Sequence, residues 1–257
     1  MKITVFGAGR MGSAMAHGWI RAQLPDFELS MVRRQTGVPL GDGLESVKLV
    51  TADAPEVAAA DVIVLAMKPW QVEEAVQKML PDLKEGVLVI SVAAGVTLEQ
   101  LRTMSLNRVR MVRAMPNTAV AFGAGVVAVA GAPADCAAAQ DILAPMGYIP
   151  ELPEEKFDAV TALSGCGLAH ALRFLRAAQT AGIRMGLPAD VSKHIFARVM
   201  QGAATIADAS PCHPEEEIDR VCTPGGLTIR GMVKLEQSGF SAAMVDGLLA
   251  CLPPEKQ

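Results

Sequence analysis

The hydrophobic rhythm of the chain changes once, close to residue 155. Before that point short β-branched runs recur at 3–7 (ITVFG), 28–32 (ELSMV), 62–66 (VIVLA), 87–91 (VLVIS), 109–115 (VRMVRAM) and 125–131 (GVVAVAG), most of them separated by amphipathic stretches. Runs of this length alternating with helical patterns predict an α/β fold, a doubly wound parallel sheet covered by helices. From about Phe157 onward alanine, leucine and methionine recur at helical spacing through 168–182, 189–208, 226–238 and 240–251, and strand signals stop. The charged, proline-containing stretch ELPEEKFD (151–158) marks the change. We therefore expect a sheet domain over 1–155 and an all-helical domain over 156–257.

Composition narrows the class. The chain has 257 residues, of which 51% are hydrophobic, ample for a substantial core. A formal net charge of −4 with interspersed signs gives no electrostatic footprint for nucleic acid or an anionic membrane, which favours small-molecule chemistry. The apolar stretches fall well short of the ~20 residues that span a bilayer. Five cysteines, at 136, 166, 212, 222 and 251, contain no Cys-x-x-Cys, so neither a disulfide framework nor a zinc site is expected and the chain reads as cytoplasmic. The N-terminus runs directly into a strand, without the order of a signal peptide.

The stretch GAGRMG (7–12) follows an apolar strand and precedes the helical SAMAHGWIRAQ, the context a dinucleotide fingerprint requires. Gly7 would permit the tight turn, Gly9 would let a pyrophosphate reach the helix N-terminus, and Gly12 would allow close helix–strand contact, with Ala8, Arg10 and Met11 completing the cradle. The first domain is thus read as a Rossmann domain. An acid at the end of the second strand would select a 2′-hydroxyl; here the strand ends MVRRQT, and Arg33 and Arg34 suit the 2′-phosphate of NADP. NADPH is the expected cofactor, with NADH possible; the other reading of the pair is a solvated surface. LAMKP (65–69) ends the third run, so Ala66, Met67, Lys68 and Pro69 are placed at the ligand crevice, as is Ala93 after the fourth. Lys68 reads equally as a surface cap, and Asn117 either orients ligand or loop or simply forms a turn.

Several reductase chemistries are excluded. Tyr148 is the only tyrosine and Leu152 stands four residues later, so no Tyr-x-x-x-Lys acid can be built. Ala171 occupies the position at which β-hydroxyacid dehydrogenases place a lysine. Cys166 and His170 share a helical face, but a cysteine among alanines reads as packing rather than as a thiolate pair. His17, His194 and His213 are scattered, so no metal site is expected. That leaves CTPGGLTI (222–229), read either as a turn into a helix with Thr228 in its first turn, or as backbone laid bare for something that approaches it closely.

Taken in order, VFGAGRMG, LAMKP, SVAAGV, MPNTA, DAVTALSGCGLAH, AGIRMGLP and DRVCTPGGLTIRGMVKLEQSGF resemble the pyrroline-5-carboxylate reductase family over nearly the whole chain. The resemblance implies reduction of 1-pyrroline-5-carboxylate, a cyclic imine, to L-proline, the last step of proline biosynthesis. It also implies a homodimer with intertwined C-terminal helices, in several members assembled further into a decamer. It places the substrate carboxylate on the main chain of Gly225, Gly226 and Leu227, with Val221 nearby, and the Thr228 hydroxyl on the ring nitrogen as the catalytic contact. Asp53 falls where the family touches the adenosine part of the cofactor, usually with asparagine. Further departures are Cys166 for serine, Leu168 for proline, His170 for a phenol, Ala119 for proline and Leu227 for threonine or alanine. They leave room for two alternatives: a reductase of a related cyclic imine such as a piperideine carboxylate, and a non-catalytic NADPH-binding sensor.

Overall fold

A computed structural model describes residues 1–33 and 40–256, Glu255 by its backbone only. The first strands are β1 (Lys2–Phe6), β2 (Glu28–Val32), β3 (Lys48–Val50), β4 (Val62–Leu65) and β5 (Leu88–Ser91), followed by β6 (Arg110–Pro116), β7 (Gly125–Gly131) and β8 (Gly147–Tyr148). They form one eight-stranded sheet in the order β3-β2-β1-β4-β5-β6-β7-β8. Helices α1 (Arg10–Ala22), α2 (Pro55–Ala58), α3 (Val72–Met79), α4 (Leu98–Met104) and α5 (Pro133–Leu143) run between the strands.

The doubly wound expectation holds, with one correction to its all-parallel form: β7 runs antiparallel to β6. Only residues 117–124 join these strands, too few for the crossover of a dozen or more residues that a parallel return needs. The short strands β3 and β8 are additions to the six expected, because three and two residues carry no period to detect.

Strand β4 shows why the sheet is sandwiched. Val62 and Val64 pack into one buried cluster with Met15 and Trp19 of α1, while Ile63 and Leu65 pack into a second with Val72 and Val76 of α3. Alternate residues thus enter opposite cores, as expected for a parallel strand covered on both faces. The indole of Trp19, fully buried, donates to the Ile142 carbonyl at 2.8 Å and ties α1 to α5.

The chain divides into two compact units, Met1–Gly165 and Cys166–Gln257, so the first extends ten residues beyond the compositional change at 155. Side chains just past that change explain the extension. Phe157, 1% exposed in α6 (Phe157–Val160), belongs to the second sheet core, and the Arg113 guanidinium lies 4.9 Å from its ring centroid. Arg113 also donates to Glu154 at 2.8 Å, and Glu154 accepts the Leu98 N–H at 2.7 Å, at the start of α4. A π-helical turn over Thr161–Cys166 follows, and Asn117 donates to its Ser164 carbonyl at 3.1 Å.

The second unit contains α7 (Gly167–Arg184), α8 (Ala189–Ala209), α9 (Pro214–Val221), α10 (Leu227–Gln237) and α11 (Phe240–Leu249). Its small interior holds Phe174 against Phe196 edge-on at 5.2 Å and against Phe240 at 5.4 Å. Ser192 is its one buried residue among those described. Leu172, Ile195, Val199, Ile206, Val233 and Leu249 are all exposed, an apolar burden far above scattered surface residues. Among the described residues no helix is long and apolar enough to cross a membrane.

Glu154→Ala should lower unfolding stability by about 2–4 kcal/mol, because it strands the buried Arg113 guanidinium and uncaps Leu98. Chemical denaturation checks this, with Glu155→Ala as the surface control.

Candidate functional site

In the first unit the chain leaves β1, turns through Gly7, Ala8 and Gly9, and enters α1. Gly7 has φ +114°, and a Cβ there would lie 2.3 Å from the Ala66 carbonyl oxygen at the end of β4. A Cβ on Gly12, inside α1, would lie 2.0 Å from the Gly7 oxygen. Both positions need glycine because backbone meets backbone. Gly9 differs: it is exposed, and a Cβ there would meet nothing within 4 Å. Gly9 is also the N-cap of α1, with no side-chain cap and no acid in the first turn. The first-turn N–H groups therefore have no side-chain cap and open space at Gly9 beside exposed Arg10, which suits an anion at the positive end of a helix. The turn fits a pyrophosphate.

This turn sits where the sheet reverses its winding, since β2 lies on one side of β1 and β4 on the other. Ligands of open α/β sheets bind at that switch point, beyond the carboxyl ends of the strands. A cavity of about 540 Å³ opens there, bounded by Gly7 and Ala8, by Arg33 at the end of β2, and by Met67 after β4. Its volume lies within the range of small-molecule pockets.

The remaining residues expected at the site distribute unevenly around it. Ala66, Met67 and Pro69 are half-buried after β4, and exposed Lys68 begins a short turn in which its N–H donates to Gln71 Oε1 at 3.3 Å. Ala93, 3% exposed, packs its side chain into the second sheet core, so the crevice has only its backbone to draw on. Ala52 lines the cavity and exposed Asp53 does not. The Thr51 hydroxyl and its own backbone N–H hold the Asp53 carboxyl below the usual carboxylate range, so it is ionised at neutral pH. Arg34 lies outside the described residues. Asn117 bonds within its loop: its Oδ1 accepts from Ala119 and Val126 at 3.2 and 3.4 Å. Sequence reasoning missed the contribution of α3, whose Glu74, Ala75 and Lys78 form one cavity wall with Gln71, the residue just before the helix. Their spacing of three and four was the available signal, since Val72, Val76 and Met79 mark the opposite, buried face.

The second unit carries the other candidate segment. Thr223, Pro224, Gly225 and Gly226 form a tight turn closed by Gly226 N–H to Thr223 carbonyl at 2.9 Å. Proline in the second place and Gly225 at φ +70° in the third are the pattern of a type II turn. A Cβ on Gly226 would lie 2.3 Å from Thr223 Oγ1 and 3.0 Å from the Thr223 carbonyl oxygen, so a side chain here would force the threonine to turn and press on the backbone. Gly226 is the N-cap of α10, again with neither a side-chain cap nor an acid in the first turn. Leu227 and Thr228 are the first two helical residues, both exposed, and Val221 ends α9, also exposed. The segment is therefore a helix-start turn with Thr228 in the first turn, and no side chain of the N-cap covers the first-turn N–H groups beside it.

Near the start of α7, burial and the neighbouring Cys251 thiol push the Cys166 thiol above its usual value, so it is a poor nucleophile. No His/Cys/Asp/Glu cluster among the described residues could hold a metal ion.

Strand order, crowded glycine turn and switch-point cavity together define a dinucleotide-binding protein of the Rossmann class. Comparison with known proteins narrows this further. Residues 154–257 match a family model described as pyrroline-5-carboxylate reductase dimerisation, and residues 2–95 match one described as NADP oxidoreductase, coenzyme F420-dependent. Pyrroline-5-carboxylate reductase of Methanosarcina acetivorans is 31% identical, covering 100% of this chain and 97% of its own. Pyrroline-5-carboxylate reductase 1 of Dictyostelium discoideum is 30% identical over 96% of this chain, which spans 48% of that longer protein. The crystal structure of Plasmodium falciparum pyrroline carboxylate reductase with NADP bound superposes with a TM-score of 0.82, at 26% identity over 98% of this chain and 95% of its own. The chain belongs to the pyrroline-5-carboxylate reductase family.

Gly12→Ala should weaken dinucleotide binding by about a hundredfold, because the added methyl displaces the Gly7 peptide from the turn. Fluorescence titration with NADPH reads this, and Gly9→Ala should leave the melting temperature unchanged.

Proposed function

We propose that the protein reduces 1-pyrroline-5-carboxylate to L-proline with NADPH, the last step of proline biosynthesis. The single observation that carries this, beside family membership, is the bare, uncapped start of α10 behind a turn of two adjacent glycines. The main chain of Gly225, Gly226 and Leu227 binds the substrate carboxylate through the Gly225 and Leu227 N–H groups, the Gly226 N–H being held by the Thr223 carbonyl, since a helix N-terminus preceded by a left-handed glycine suits an anion. Thr228, next along the same turn, contacts the ring nitrogen through its hydroxyl. Val221 borders this segment.

In the first unit Gly7, Ala8, Gly9, Arg10, Met11 and Gly12 hold the pyrophosphate, and Arg33 the 2′-phosphate. Bound NADPH supplies hydride. A cyclic imine protonates readily, so the residues named here need no strong general acid and act by orientation, an effect worth up to roughly 7–11 kcal/mol. The missing tyrosine and lysine acids are consistent with that demand.

The exposed apolar residues of α7, α8, α10 and α11 support a homodimer that covers them, with helices exchanged between subunits and further assembly open to a decamer. Five free cysteines accord with a cytoplasmic setting.

Loss of NADPH absorbance on adding 1-pyrroline-5-carboxylate tests the reading. Turnover should be faster on this five-membered ring than on the six-membered piperideine carboxylate; tight NADPH binding without turnover on either imine would make the protein a sensor instead. Thr228→Ala should lower kcat roughly a hundredfold and leave the NADPH dissociation constant within about twofold, since the hydroxyl touches only the reacting nitrogen. Steady-state kinetics beside a binding titration separates the two effects.

A further inference from the structure

The cavity wall contributed by α3 carries charge to which the glycine turn and the β2 end give no role. Glu74 and Lys78 stand one turn apart on the helix face opposite buried Val72, Val76 and Met79, and both line the cavity that also receives Gly7, Ala8 and Arg33. Lys78 Nζ lies 2.6 Å from Glu74 Oε1, with 66% and 64% of the two side chains exposed. An exposed pair of this kind contributes little, so its ammonium can exchange a carboxylate for a stronger anion at small cost.

We infer that Lys78 is an additional binding residue for the 2′-phosphate of the dinucleotide, acting with Arg33 to select NADPH over NADH. The inference rests on the dinucleotide reading of this cavity and adds a determinant from α3. A 2′-phosphate carries nearly two negative charges at neutral pH and three acceptor oxygens. A dianion with three acceptor oxygens has room for an ammonium from α3 beside the guanidinium donors after β2. Glu74, in the same wall, would repel a dianion, and Lys78 beside it offsets that repulsion. Without the lysine the carboxylate would face the phosphate, lacking the ammonium that now lies 2.6 Å from its Oε1. The loss on removing Lys78 should therefore exceed that of one exposed contact, and it should fall on the phosphorylated ribose alone. Lys78 acts as a compact point charge on a flexible stem, so an arginine in its place should serve as well.

The test uses nucleotide fragments, so that it reads the cavity independently of imine reduction. Adenosine 2′,5′-bisphosphate and adenosine 5′-monophosphate are titrated calorimetrically into the full-length protein and into Lys78→Met, which keeps the apolar stem and removes the charge. The bisphosphate should bind about tenfold more weakly to the variant, with the monophosphate within about twofold, and Lys78→Arg should retain the wild-type preference. Equal weakening of both nucleotides, or no weakening of either, would overturn the inference and leave the proposed reaction standing. Failure of the wild-type protein to bind either nucleotide would overturn the dinucleotide reading of the cavity, and this inference with it.

Discussion

The first unit depends on two peptide carbonyls that leave no room for a side chain. The Ala66 oxygen presses on Gly7 and the Gly7 oxygen presses on Gly12, so the end of β4, the β1 turn and the first turn of α1 are stacked backbone on backbone. This stacking brings the start of α1 up against the sheet at its switch point. At Gly9, the N-cap of α1, no side chain covers the helix start and a Cβ would find only open space. Gly7 and Gly12 thus crowd inward while Gly9 between them leaves the turn open, and the cavity lined by Arg33 and α3 includes Gly7 and Ala8 of that turn.

The second unit reaches a comparable end by different local means. A proline sets the turn, Gly225 takes the left-handed conformation, and Gly226 starts α10 without a capping side chain. Helix N-termini can be closed by side-chain caps, as Thr97 does for α4 and His213 Nδ1, accepting from Glu215, does for α9, whereas α1 and α10 start on uncapped glycines with no acid in the first turn. Leaving α1 and α10 bare costs local stability, and in both cases the uncovered groups are main-chain donors suited to an anion. The rest of the unit buries little of itself, in keeping with the family's dimerisation region over 154–257.

Much of the architecture was legible because the signals are local. Every one of the six apolar runs forms a strand, and the four helical stretches of the second half form α7, α8, α10 and α11. Helix α9 escaped notice because PEEEIDRV is acidic through its first turn and shows little apolar period. The reversal between β6 and β7 follows from the length of their connector, a property of the sequence that the strand pattern by itself does not express. The attachment of 154–165 to the first unit was invisible, because Arg113, Glu154, Leu98 and Phe157 meet only across the fold.

The sequence alone determined the glycine turn, the arginine after β2, the type II turn before Thr228 and the change from alternating elements to pure helix. Each is a property of neighbouring residues, since dihedral freedom, strand period and capping are settled within a few positions. Tertiary structure alone decided which chemistry shares a space: that Ala93 is committed to the core, that Asp53 stands off the cavity its neighbour lines, and that Glu74 and Lys78 face Arg33's pocket. Those outcomes turn on which helix face the sheet claims for burial, and that is fixed only when distant strands pair.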